Sequence, residues 1–168
     1  MIILGIDPGY ATVGYGIVKY HTNRFMPIEY GAIITGAELP FAERLVKIYD
    51  ALTELMRVYK PDAMAVEKLY FNTNTKTAIG VAEARGCILL SGCKSGIPVA
   101  EYTPLQVKQS VTGYGKAEKS QVMEMTRVML GFDKVPKPDD TADALAVAIC
   151  HAHSASSSLS KIRERAGL

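Results

Sequence analysis

The chain has 168 residues, 48% apolar and 21% charged, the make-up of an ordinary globular protein of about one domain. A net charge of +2 excludes a polyanion binder that works through a global field, so any nucleic-acid partner has to meet a local patch. Cys87, Cys93 and Cys150 are an odd set without C-x-x-C spacing, and residues 1–20 show no basic leader or cleavage site. Disulfide scaffolds, zinc sites, secretion and membrane spans are therefore set aside, and a cytoplasmic protein is expected.

Ile2 to Ile6 is an apolar run too short for a helix, and Asp7-Pro8-Gly9 stops it. The pattern predicts a strand buried on both faces at the centre of a sheet. Alternation puts Ile3, Gly5 and Asp7 on one face and Ile2, Leu4 and Ile6 on the other. Asp7 then stands at the carboxyl end of a central strand, where open sheets hold their ligands. Taken alone, Asp-Pro-Gly reads equally well as a turn with a helpful side chain. Val13 to Tyr20 reads as the returning strand of a hairpin, and Ile28 to Thr35 as a third strand completing an antiparallel meander.

Phe41, Leu45, Ile48, Leu52, Leu55 and Tyr59 recur at steps of three or four, which predicts a helix over 41–59 that Lys60-Pro61-Asp62 ends. Ala63 to Glu67 repeats the opening pattern, a short apolar strand tipped by a carboxylate. A helical crossover to a parallel neighbour of the first strand would bring Glu67 to Asp7. Two carboxylates in a partly dry cleft repel unless one is protonated or a cation lies between them. Lys68 to Thr73 is irregular and carries Tyr70 and Phe71, with Lys76 just beyond.

Asn74 to Cys93 reads as a helix rich in small residues, with Gly80 and Gly86 inside it. Close backbone approach explains two such glycines, either against the sheet or against a second copy, and the second is preferred. Ile97 to Tyr102 is a fifth strand. Thr103-Pro104 starts a helix to about Thr112, with Thr103 as N-cap, and another helix follows from about Glu118 to Leu130. Lys108, Lys116 and Lys119 surround the intervening glycine-bearing loop, which reads as a phosphate-backbone contact or as a solvated helix end.

Asp139, Asp140 and Asp143 open a helix of nearly unbroken apolar sequence from Ala144 to Cys150. Asp140 and Asp143 share one face of its first turn, Asp139 is assigned the cap, and His151 and His153 close the last turn without being ligands. Residues 1–153 make one domain, and the Ser-rich, then basic, stretch over 154–168 is expected to be a flexible tail.

Asp7, Glu67, Asp140 and Asp143 bring four carboxylates from three distant parts of the chain. Oxygen donors without His or Cys suit Mg2+, with Mn2+ as a substitute. Two such ions roughly 3.5–4 Å apart form the known clamp for phosphoryl displacement. With basic and aromatic residues beside the acids, a metal-dependent nuclease is the reading reached from the residues alone.

The ordered set Gly5-Ile6-Asp7-Pro8-Gly9, Val66-Glu67, Tyr70-Phe71-Asn72, Ala82-Glu83-Ala84-Arg85-Gly86, Tyr102-Thr103-Pro104, Val107-Lys108, Val111-Thr112-Gly113, Lys119-Ser120-Gln121-Val122 and Asp140-Thr141-Ala142-Asp143-Ala144-Leu145 resembles the RuvC-type Holliday junction resolvases. These belong to the ribonuclease-H-like nucleases. The resemblance implies an α/β fold with a five-stranded mixed sheet flanked by helices, and metals held by Asp7, Glu67, Asp140 and Asp143. It further implies Lys108 and Lys119 at the phosphate, Tyr70 stacking at the junction, a homodimer, and the RuvA–RuvB branch-migration complex as partner. Phe71, Lys76 and Lys116 are expected as further DNA contacts. Two alternatives stand beside it, a junction-binding module without catalysis and an actin- or sugar-kinase-type phosphate-binding domain. The second needs another domain and another phosphate loop.

Overall fold

The computed structural model describes residues 1–69 and 77–166, with side chains as far as Ser156. The described strands are β1 (Ile2–Asp7), β2 (Thr12–His21), β3 (Arg24–Ile34), β4 (Ala63–Glu67) and β5 (Val99–Tyr102). The described helices are α1 (Phe41–Tyr59), α2 (Ala78–Lys94), α3 (Pro104–Thr112), α4 (Lys119–Leu130) and α5 (Asp139–Ala166). The sheet order is β3-β2-β1-β4-β5, which puts β1 in the middle. β2 and β3 run antiparallel to their neighbours, whereas β4 lies parallel to β1 and β5 parallel to β4. The expected mixed sheet is therefore present.

Alternation along β1 divides the molecule. Leu4 and Ile6 point to a core shared with Ile48, Leu52 and Met56 of α1 and Ala84 and Ile88 of α2. Ile3 points the other way, to α5, whose Ala144 to Cys150 segment is almost wholly inaccessible. α3 and α4 cover the outer side of α5, so that helix is a buried layer between them and the sheet.

Two boundaries differ from the sequence reading for a physical reason. β3 starts at Arg24, because Thr22 and Asn23 both take positive φ (47° and 60°) and make a tight hairpin turn without glycine. Pro27 is accommodated because β3 is an edge strand, and the register shifts beside it between Ile17 and Val18. α5 continues through His151 and His153 instead of ending there. Ser154 and Ser156 donate back to the carbonyls of Cys150 and Ala152 (2.9 Å each), so serines expected in a flexible tail fit the helix. His151 Nδ1 pairs with the Tyr102 hydroxyl at 2.9 Å and His153 Nδ1 with Ser110 Oγ at 3.1 Å, tying α5 to β5 and α3. α2 is described from Ala78, and its expected start at Asn74 lies outside the described residues.

The two glycines of α2 also separate. Gly80 faces Phe41 and Tyr10, so internal packing accounts for it, while Gly86 faces open space. Among the described residues no helix is long and apolar enough to cross a membrane.

Candidate active site

β1 and β4 run in parallel register with Ile6 opposite Val66, so Asp7 and Glu67 end adjacent strands at the same edge of the sheet. Opposite Asp7 on β2 stands Gly14. A Cβ on Gly14 would strike the backbone carbonyl of Asp140, and one on Gly5 would strike that of Ala144. These glycines let α5 lie directly on the sheet, and its first turn then carries Asp140 and Asp143 over Asp7.

The opposite wall comes from α3 and α4. Glu67, Asp143, Lys108 and Lys119 line one open cleft of about 260 Å³, with Val107, Val122 and Ala146 as its apolar floor. Thr103 caps α3, accepting from Gln106 N at 3.2 Å while Gln106 Oε1 accepts from Thr103 N at 2.8 Å. At the start of α4, Gln121 Oε1 accepts from Glu118 N at 2.9 Å. Lys119 is the first residue of α4, where the helix dipole disfavours a cation. The carboxylates of the cleft offset that placement, for Lys119 Nζ lies 2.8 Å from Asp143 Oδ2 and 3.9 Å from Asp139 Oδ2.

The electrostatics record how close the acids lie. Burial pushes the Asp7 carboxyl up to about 8, helped by the negative charges of Glu67, Asp143 and Asp140 and opposed by Lys119. Glu67 is pushed up to about 7 by burial and by Asp143, against Lys119 and Lys108. Asp143 is raised by burial in spite of its hydrogen bond from Lys119. Burial alone would lower the Lys119 ammonium, but Asp143, Asp139 and Asp7 hold it above its ordinary value. The cleft is thus crowded with negative charge that two lysines neutralise in part.

An all-carboxylate donor set under mutual repulsion is the chemistry a hard dication relieves, and in that sense these residues fit Mg2+ or Mn2+. Among the described residues no three His, Cys, Asp or Glu side chains are gathered as a ready cation cage. Asp143 is instead engaged by the ammonium of Lys119.

The family model for the crossover junction endodeoxyribonuclease RuvC matches residues 3–151. The chain belongs to the RuvC family. A RuvC from Desulforamulus reducens is 58% identical over 152 residues, covering 90% of this chain and 93% of that protein. The Thermus thermophilus RuvC structure superposes with a TM-score of 0.88 at 34% identity, covering 94% of this chain and 97% of that one. A second structure, of T. thermophilus RuvC in complex with Holliday junction substrate, gives a TM-score of 0.87 at 35% identity over 92% of this chain and 94% of that one. The actin- or sugar-kinase alternative gains nothing from these relatives.

Set on this RuvC fold, the expected site residues fall into three groups. Asp7, Glu67, Asp140, Asp143 and Lys119 converge, and Lys108 lines the same cleft. Lys116 is exposed on the turn before α4 and does not line it. Tyr70, Phe71 and Lys76 lie outside the described residues. Asp139 needs correction, because it is the first helical residue of α5 and engages Lys137 Nζ at 2.6 Å instead of capping the backbone. That hydrogen bond holds the Asp139 carboxyl below its usual range. The Lys137-x-Asp139 spacing was the available signal for the pair, and it is too common to be read without coordinates.

Proposed function

We propose that this RuvC-family chain is a divalent-metal-dependent endonuclease that resolves four-way DNA junctions by paired, symmetric nicks in recombination and repair. The observation that carries the reading is that Glu67 and Asp143 line one cleft with Lys108 and Lys119, while Asp7 feels the charges of Glu67, Asp143 and Asp140. A module that only bound junctions would gain affinity by losing those carboxylates, since each opposes the phosphate backbone. The carboxylates are present, half-buried and within electrostatic reach of one another, which favours catalysis over binding alone.

In this proposal Asp7, Glu67, Asp140 and Asp143 hold the metals, two per site. When bound, the metals supply Lewis-acid polarisation of the phosphodiester and lower the pKa of a water. Lys108 and Lys119 meet the negative charge that builds on the phosphoryl oxygens as water attacks in line and the bond to the 3′-oxygen breaks. The products are a 5′-phosphate and a 3′-hydroxyl, which a ligase can seal. The apolar floor of Val107, Val122 and Ala146 limits water around the reacting group and strengthens every charge interaction above it. Tyr70 and Phe71 are proposed to stack on unpaired bases, with Lys76 and Lys116 on the backbone.

A homodimer completes the reading, because a four-way junction has two-fold symmetry and two sites related by a C2 axis can nick opposing strands. α2 presents a fitting surface, with Ile79 72% and Leu90 54% exposed and Ala82 and Gly86 between them on the same side. The RuvA–RuvB complex is the proposed partner, and the cytoplasm the proposed site of action. The test is a four-way junction labelled on each arm, incubated with Mg2+ and separately with chelator, with nicks mapped on all strands. Paired symmetric nicks that need the metal are expected. Scattered nicks, or none, would overturn the reading.

A further inference from the structure

Asp139 is the acid that the two-metal reading leaves unused, yet it stands between two cations. Its Oδ1 accepts from Lys137 Nζ at 2.6 Å, and its Oδ2 faces Lys119 Nζ at 3.9 Å. Lys119 Nζ is meanwhile bonded to Asp143 Oδ2 at 2.8 Å. An ammonium so placed repels a dication that would share Asp143, so metal binding there favours its departure from that carboxylate. The Lys119 side chain is 57% exposed at the first position of α4, which leaves it room to turn. Closing the gap to Asp139 from 3.9 Å to the roughly 2.8 Å of a charge-assisted bond needs a shift of about 1 Å.

We propose that Asp139 is a positioning residue that receives the Lys119 ammonium when a divalent cation displaces it from Asp143. Lys137 fixes the outer oxygen of Asp139, so the inner one stays aimed at Lys119. The lysine then has two stations, as counter-ion of the empty site and as phosphate contact at the rim of the loaded one. Without Asp139 the displaced ammonium loses its nearest second carboxylate and competes more strongly with the metal for Asp143. This inference rests on the metal reading above.

The experiment is a double-mutant cycle in Mn2+ affinity of the full chain without DNA, read by calorimetry on wild type, Lys119→Met, Asp139→Asn and the double variant. Removing the competitor in Lys119→Met is expected to tighten Mn2+ binding about tenfold, and Asp139→Asn to weaken it about fivefold. In the Lys119→Met background, Asp139→Asn is expected to change affinity by less than about twofold, the mark of coupling through one side chain. Asp139→Glu, which keeps the charge, should bind Mn2+ close to the wild-type level, and an Asp139→Asn thermal melt that matches wild type excludes misfolding as the cause of its weaker binding. Equal weakening by Asp139→Asn in both backgrounds would overturn the proposal, since Asp139 would then act only through its long-range field. No tightening in Lys119→Met would also overturn it. No Mn2+ binding by any of these proteins would instead overturn the metal reading itself.

Discussion

The two faces of β1 perform different work with the same backbone. On one face Leu4 and Ile6 are fully buried against the large side chains of α1 and α2. On the other, Gly5 and Asp7 lie beneath α5, where a missing Cβ brings a helix onto the sheet and a carboxylate is buried among other carboxylates. The first face lowers the free energy of the fold by burying aliphatic volume. The second also buries Ile3 against α5, but at its carboxyl end it accepts charge repulsion in order to hold four acids together. Their difference shows that stability and chemistry are separated here by the two-residue period of one strand. It also shows where a substitution should harm one property and spare the other.

The largest separation is expected for Asp7→Asn. It should reduce junction cleavage at least about 10³-fold by removing a metal ligand, while junction binding is kept or improved at low Mg2+. Above about pH 8, where Asp7 ionises, the metal-free variant should also melt higher than wild type, because a repelling charge is gone. Loss of binding together with cleavage, measured by gel shift and nicking on the same junction, would assign Asp7 to folding instead.

Next in size is a pair chosen from opposite faces. Gly14→Ala pushes against the Asp140 backbone and should cost about 1–3 kcal/mol while lowering cleavage per folded molecule more than about tenfold. Leu52→Ala opens a cavity in the other core and should cost about 2–5 kcal/mol, with cleavage per folded molecule close to wild type. Urea melts and single-turnover cleavage read both quantities. Comparable losses of activity in the two variants would erase the division between the faces.

The smallest expected effect is in pH. Asp7 and Glu67 are raised in the folded protein to about 8 and about 7, so between about pH 4 and pH 8 the native state holds more protons than the unfolded chain. Stability from these groups is complete below about pH 4 and is lost as pH rises through about 7 to 8. The melting temperature of metal-free protein should therefore fall between pH 5 and pH 8. Leu52→Ala should keep this slope, Asp7→Asn should flatten it, and saturating Mg2+ should oppose it. A slope of the opposite sign in chelated wild-type protein would show that the acids are not mutually repelling.

Much of this protein is written locally. The apolar periods that define α1, the unbroken apolar run of β1, the Thr103-Pro104 helix start and the carboxylates closing β1 and β4 all follow from neighbouring residues, and each was legible in the chain. Parallel-strand topology brought Glu67 to Asp7, but the convergence of Asp140 and Asp143 with them was inferred only by counting acids and by resemblance, because no local rule measures a distance between residues 7 and 143. The edge position of β3 decided that Pro27 could lie in a strand, and tertiary hydrogen bonds to Tyr102 and Ser110 decided that His151 and His153 sit within α5 instead of closing it. Asp139 was misassigned for the same reason. A cap is a local property, whereas the choice of Lys137 and Lys119 as its partners depends on how α4 meets α5. Short-range sterics and hydrophobic period fix which elements form; packing across the sheet alone decides which charges they bring face to face.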